Sequence, residues 1–133
     1  MGNVLQFAVA ANFLLQEIIA PSSTRGVITA WLEKSSGARA RFRVRLRDLR
    51  RIPRVEWTKK QFRSLGNGLF EIKWEWEKKQ WRAIGFDHKG HFVMVLGCTH
   101  KDNVYDPANC LKTAKQRKAE AENGAWGFLP YEP

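Results

Sequence analysis

Apolar residues change their spacing several times along the chain, and each change predicts an element. Phe13 to Ala20 is a nearly continuous apolar run closed by Pro21-Ser22-Ser23, which reads as a first strand. Val27, Ile28, Trp31 and Leu32 then recur at helical spacing, with Thr24 placed to cap a short helix. The stretch Ala38 to Arg51 carries two periods at once. Arg39, Arg41, Arg43, Arg45 and Arg47 alternate with Ala40, Phe42, Val44 and Leu46 as in a half-buried strand, while Ala38, Phe42, Leu46 and Leu49 recur as on a helix. Its 14 residues are long for a strand, and arginine is a good helix former. Ser35-Ser36-Gly37 offers an N-cap and Pro53 marks the stop, so the spacing predicts a helix. Its apolar stripe would seat on a sheet while Arg43, Arg47 and Arg50 project outward.

Further on, Lys59 to Leu65 reads as a helical turn ending at Gly66-Asn67-Gly68, a strong turn signal. Three strands follow: one holding Leu69, Ile72, Trp74 and Trp76, one from Trp81 to Phe86, and one from Phe92 to Thr99. The polar link Glu77 to Gln80 and the loop Asp87-His88-Lys89-Gly90 make both connections hairpin-like. Ala108 to Glu122 is a helix, with Pro107 suited to its first turn and Gly124 at its end; the aromatic tail beyond has no period. This order predicts an α+β domain with an antiparallel meander behind a helical hairpin. Its expected limits are residues 14–122, between an N-terminal extension at 1–13 and a tail at 123–133.

The charge pattern narrows the partners. The 133 residues carry 23 Lys and Arg against 13 Asp and Glu, a net charge of +10. Segment 25–63 alone holds 13 basic and three acidic side chains, so it accounts for the whole surplus. A block this local focuses a positive field on one surface and draws polyanions. The run Val4 to Ala20 is broken by Gln6, Asn12, Gln16 and Glu17, too polar for a membrane span, and no basic residue precedes it as in an export signal. The expectation is a soluble, cytoplasmic protein. Cys98 and Cys110 are expected as buried free thiols. His88 and His91 bracket a loop with no third ligand beside them, so no metal is expected. The six tryptophans are spaced mostly like core residues rather than as stacking platforms.

Four short pieces carry a resemblance: Ser64-Leu-Gly-Asn-Gly-Leu-Phe-Glu-Ile-Lys73, Trp81-Arg-Ala-Ile-Gly-Phe86, Val95-Leu-Gly-Cys-Thr-His-Lys101 and Asp106-Pro107. In this order and with these gaps the chain resembles the RelE/HigB toxin superfamily, and within it the phage-derived Gp49-like branch. The likeness spans roughly residues 14–122 and is tightest over 64–118. It implies a RelE-like fold: a small twisted antiparallel sheet of about four strands, with two N-terminal helices and one C-terminal helix.

The implied activity is that of a ribosome-dependent endoribonuclease, an mRNA interferase that inhibits translation without a cofactor. A 2′-hydroxyl attacks the neighbouring phosphate, the 5′-oxygen leaves, and a cyclic phosphate remains. That reaction needs a base, a proton donor and cations against the developing charge. Arg82 aligns with the superfamily's central-strand arginine as the transition-state stabiliser. His100 is the natural base, Lys101 would neutralise phosphate charge, and Tyr105 would donate a proton or stack on a base. Lys73 would flank the same face, with Arg43, Arg47, Arg50 and Arg51 binding RNA from the basic helix. The implied partners are a cognate antitoxin of helix-turn-helix type, in a hetero-oligomer, and the ribosome with its mRNA, with no membrane. Two other readings stand beside this one: a nucleic-acid-binding module without catalysis, and a ParE-like toxin acting on gyrase.

Overall fold

Among the described residues seven strands, rather than about four, make up the sheet, and not all of them are antiparallel. The computed structural model describes residues 14–132 apart from 59, 60 and 103, so the proposed extension at 1–13 and the expected strand start at Phe13 lie outside the described residues. The elements run β1 (Leu14–Ile19), α1 (Val27–Leu32), α2 (Ser36–Arg50), a 3₁₀ turn (Arg54–Glu56), β2 (Phe62–Gly66), β3 (Leu69–Trp76) and β4 (Lys79–His88). They continue with β5 (His91–Lys101), β6 (Val104–Asp106), α3 (Cys110–Glu122) and β7 (Gly127–Pro130). The strand order is β2-β3-β4-β5-β1-β7. β1 lies parallel to β5 over Leu14–Glu17 and His91–Met94, and β6 pairs with the far end of β5 at Thr99–Lys101.

The missing strands have physical causes. The segment expected as a helical turn is β2, which pairs with β3 from Phe62 opposite Ile72 to Gly66 opposite Leu69. Its Phe62 alone is buried, while Arg63 and Ser64 are exposed, so an edge strand this polar shows no alternation worth reading. Gly66-Asn67-Gly68, all at positive φ, closes a hairpin and does not end a helix. β6 and β7 are three- and four-residue edges, too short for a period. The aperiodic tail therefore supplies a strand, paired antiparallel to β1.

On one face of the sheet, Ala38, Phe42, Leu46 and Leu49 of α2 are fully buried, the stripe expected of a helix. They pack in one cluster with Ile72, Trp74, Phe92 and Met94. Burying Phe42 contributes about 2–3 kcal/mol, and its ring stacks on Trp74 at 4.2 Å between centroids. Ser35 caps α2 by accepting from Ala38 N–H at 3.1 Å. Trp31, Trp74 and Trp81 meet in the same layer at 5.3–6.3 Å, which places them as core. The cap of α1 is not Thr24. Its N-cap is Gly26, and the buried Glu17 carboxylate accepts from Ile28 and Thr29 N–H, both at 2.8 Å. A strand carboxylate thus does the work that the local sequence assigns to a hydroxyl.

On the opposite face, α3 sets Cys110, Ala114 and Ala121 against Ile84, Val93, Val95 and Cys98. It begins at Cys110, two residues later than expected, and ends at Glu122; Gly124, just past the cap residue Asn123, takes the left-handed φ of +83° that closes such a helix. Cys98 and Cys110 are both free and buried, and burial pushes both thiols up in pKa. α3 leaves the strip built from β3, the start of β4, the end of β5 and β6 uncovered, and polar side chains collect there. Among the described residues no helix is long and apolar enough to cross a membrane.

Candidate functional site

Strand alternation selects the members of this strip. Phe70, Ile72, Trp74 and Trp81 point toward α1 and α2, so Glu71, Lys73, Glu75, Gln80 and Arg82 point the other way. Register then brings Lys73 opposite Arg82, Gln80 opposite His100, and His100 opposite Tyr105. Four strands deliver one polar array.

Its hub is Glu71, a carboxylate with no exposed surface. Arg82 donates to Oε1 from Nη1, Arg63 forms an ion pair with the same oxygen at 2.8 Å, and the Tyr105 hydroxyl donates to Oε2 at 3.3 Å. A buried carboxylate requires such partners. Arg82, 5% exposed, spends one nitrogen on this anchor. Its Nη2 donates to the exposed Gln80 Oε1 and lies 3.3 Å from His100 Nδ1, while its buried Nε has no partner among the described residues. The His100 and Tyr105 rings sit 4.6 Å apart, with the Arg82 guanidinium 5.8 Å from the Tyr105 centroid.

These groups line a hollow of about 590 Å³ together with Arg63, Glu75, Lys78, Lys101 and Asp102. Lys78 stands in the tight turn before β4 at a φ of +62°, a left-handed conformation that costs a non-glycine residue about 1 kcal/mol. An arginine has no acceptor, so the Nδ1 facing Arg82 carries a lone pair. Burial and the Arg82 charge both hold the His100 pKa below its ordinary value of 6.5. Burial, then Glu71, raises that of Tyr105, which keeps its proton at neutral pH. The site thus holds a neutral imidazole, a protonated phenol and a guanidinium fixed by a buried anion.

Of the residues singled out from sequence, Arg82, His100 and Tyr105 are brought into contact, Lys101 lines the same hollow, and Lys73 stands beside Arg82. Arg43, Arg47, Arg50 and Arg51 do not join them, because α2 lies across the other face of the sheet. Arg50 pairs with Glu132 at 3.4 Å and Arg51 with Asp48 at 3.9 Å, whereas Arg39, Arg43 and Arg47 form an exposed i, i+4 row without an ion pair among the described residues. Glu71, Arg63 and Gln80 went unassigned in the sequence. Glu71 and Arg82 share a face only once β3 and β4 are in register, and the strand alternation of Glu71, Lys73 and Glu75 was the available signal. His88, expected in an exposed loop, is half-buried with its ring 5.3 Å from Phe128. Among the described residues, no three His, Cys, Asp or Glu side chains converge as a metal site would require.

One family model, described as phage derived protein Gp49-like (DUF891), matches residues 30–119. That span runs from the second half of α1 through most of α3 and takes in every residue of the polar array. Neither a curated protein nor a solved structure matches the chain.

Proposed function

The chain belongs to the phage-derived Gp49-like family, and from that footing we propose that it is the toxin of a type II toxin-antitoxin pair. In this reading it is a member of the RelE/HigB superfamily that cuts messenger RNA at the ribosome. The observation that carries the proposal is the 3.3 Å approach of Arg82 to His100 at the rim of an open hollow.

An incoming phosphate would replace both Gln80 and His100 as acceptors of Arg82 Nη2, while Glu71 keeps the guanidinium in place. The lone pair of His100 Nδ1 released in this way then takes the proton of the 2′-hydroxyl beside that phosphate as the 2′-oxygen attacks phosphorus. Arg82 and Lys101 stabilise the added negative charge. The departing 5′-oxygen takes the Tyr105 proton, whose bond to Glu71 at 3.3 Å is long for a hydroxyl donor and easily given up. DNA lacks the attacking group and is not a substrate. The exposed arginine row of α2 serves docking, to an acidic antitoxin segment or to ribosomal RNA.

Primer extension on transcripts from expressing cells tests this directly: cuts at fixed codon positions are expected. Intact transcripts under growth arrest would remove the nuclease reading and favour a gyrase target. Intact transcripts with strongly salt-dependent RNA binding would favour a binding module built on α2.

The pH dependence has a definite sign. The base must be neutral, and the His100 pKa is lowered, so cleavage should be flat through pH 7 and fall only at a pH below the ordinary histidine value of 6.5. The same shift makes the folded state bind fewer protons than the unfolded one, so the His100 contribution to stability also fades as pH falls below 6.5. An activity that rises on acidification would exclude His100 as base.

A further inference from the structure

We propose that the hollow between Arg45 and Lys73 is a second phosphate position, holding the RNA backbone next to the phosphate gripped by Arg82. It rests on the nuclease reading above and extends it by a defined subsite.

β2 pairs with β3 only as far as Ile72, and the Lys73 N–H donates to Gln61 O at 2.8 Å. From Trp74 to Trp76 the outer edge of β3 has no strand beside it among the described residues. At that edge lies a hollow of about 200 Å³ lined by Arg45, Lys73, Trp74, Glu75 and Gln80. Glu75 and Gln80 also line the larger hollow, so the two are neighbours. Arg45 therefore reaches from α2 to the brink of the array, which Arg43, Arg47, Arg50 and Arg51 do not.

The local charges are unbalanced. Arg45 Nε is buried with no partner, and neither Arg45 nor Lys73 makes an ion pair among the described residues. Burial and the charges of Arg63, Arg82 and Arg45 lower the Lys73 pKa, opposed by Glu71. Glu71 is already engaged by Arg63 and Arg82. An unmet guanidinium N–H beside a crowded ammonium is relieved by an anion. A phosphodiester suits the place, because the same strand must continue past Gln80 once its scissile phosphate sits on Arg82. Glu75 is exposed and opposes the anion, which gives the test a second sign.

The probe is a fluorescent eight-nucleotide single-stranded RNA with 2′-O-methyl riboses, which the full-length protein can bind but not cut. Arg45→Gln and Lys73→Gln should each weaken binding roughly 5- to 10-fold at low salt and flatten the salt slope by about 0.7. Glu75→Gln should tighten it. Lys115→Gln, which removes an exposed charge from α3, supplies the control for net charge and should change affinity less than about twofold. If Arg45→Gln and Lys73→Gln match Lys115→Gln, the subsite is overturned, whereas cleavage in cells still judges the nuclease reading. A loss confined to binding of an acidic peptide, with RNA unaffected, also overturns it. Wild-type protein without RNA affinity brings down both.

Discussion

Glu71→Ala is expected to lower the free energy of unfolding by about 3–5 kcal/mol, the range for stripping one partner from a buried charge network. The magnitude follows from who is left behind. Arg63 has a side chain 46% exposed, so water can replace its bond to the carboxylate. Arg82 has no such recourse. It is 5% exposed, its Nε is already unmet, and its remaining contacts are Gln80 and His100, neither of which bears a full negative charge. By contrast, exposed pairs such as Arg50–Glu132 are worth about 0–1 kcal/mol. Glu71→Gln keeps one acceptor oxygen and should lose less. Urea unfolding at unchanged m-value measures both variants. A Glu71→Ala protein within about 1 kcal/mol of wild type would mean that water reaches Arg82 freely, and the rigid array argued above would not exist.

Arg82→Lys is expected to reduce cleavage about 100- to 1,000-fold, in line with loss of a preorganised donor to transition-state charge. Lysine keeps the charge that balances Glu71, so stability should fall less than in Glu71→Ala. The geometry is what goes. The fork of Arg82 reaches Glu71 with one nitrogen and Gln80 and His100 with the other, and a single ammonium cannot hold the carboxylate while meeting a phosphate beside the imidazole. Single-turnover cleavage read beside urea unfolding separates the two effects. Retention of more than about a third of wild-type activity would shift the role away from Arg82.

The helices were legible because four apolar residues of α2 outweighed five alternating arginines, and because Ser35 caps where its position suggests. The meander was legible too: β3 spans the residues its apolar pattern marks, β4 runs two residues further at each end, and β5 one residue further at its start and two at its end. What escaped was non-local. β1 finds its partners at β5 and β7, far along the chain, and β2, β6 and β7 are short edges stabilised by the neighbour they lean on. In the array, the resemblance pointed to Arg82, His100 and Tyr105, while Glu71 read as one more polar residue of a half-solvated strand. Only the register with β4 and β6 turns it into their common anchor. The basic helix misled in the opposite way: its charge is real, yet alternation puts the polar array on the far side of the sheet from it, and Arg45 reaches the site edge where Arg43, Arg47, Arg50 and Arg51 do not.

One arrangement bears on how the protein comes into being. β1 sits between β5 and β7, and β7 closes only with residues 127–130. During translation β1 must therefore wait for both of its neighbours, one hydrogen-bonding edge until residues 91–94 have been made and the other until residues 127–130 have. The sheet thus closes around its earlier strand late, and that strand is the part of a nascent chain most open to pairing with the wrong edge.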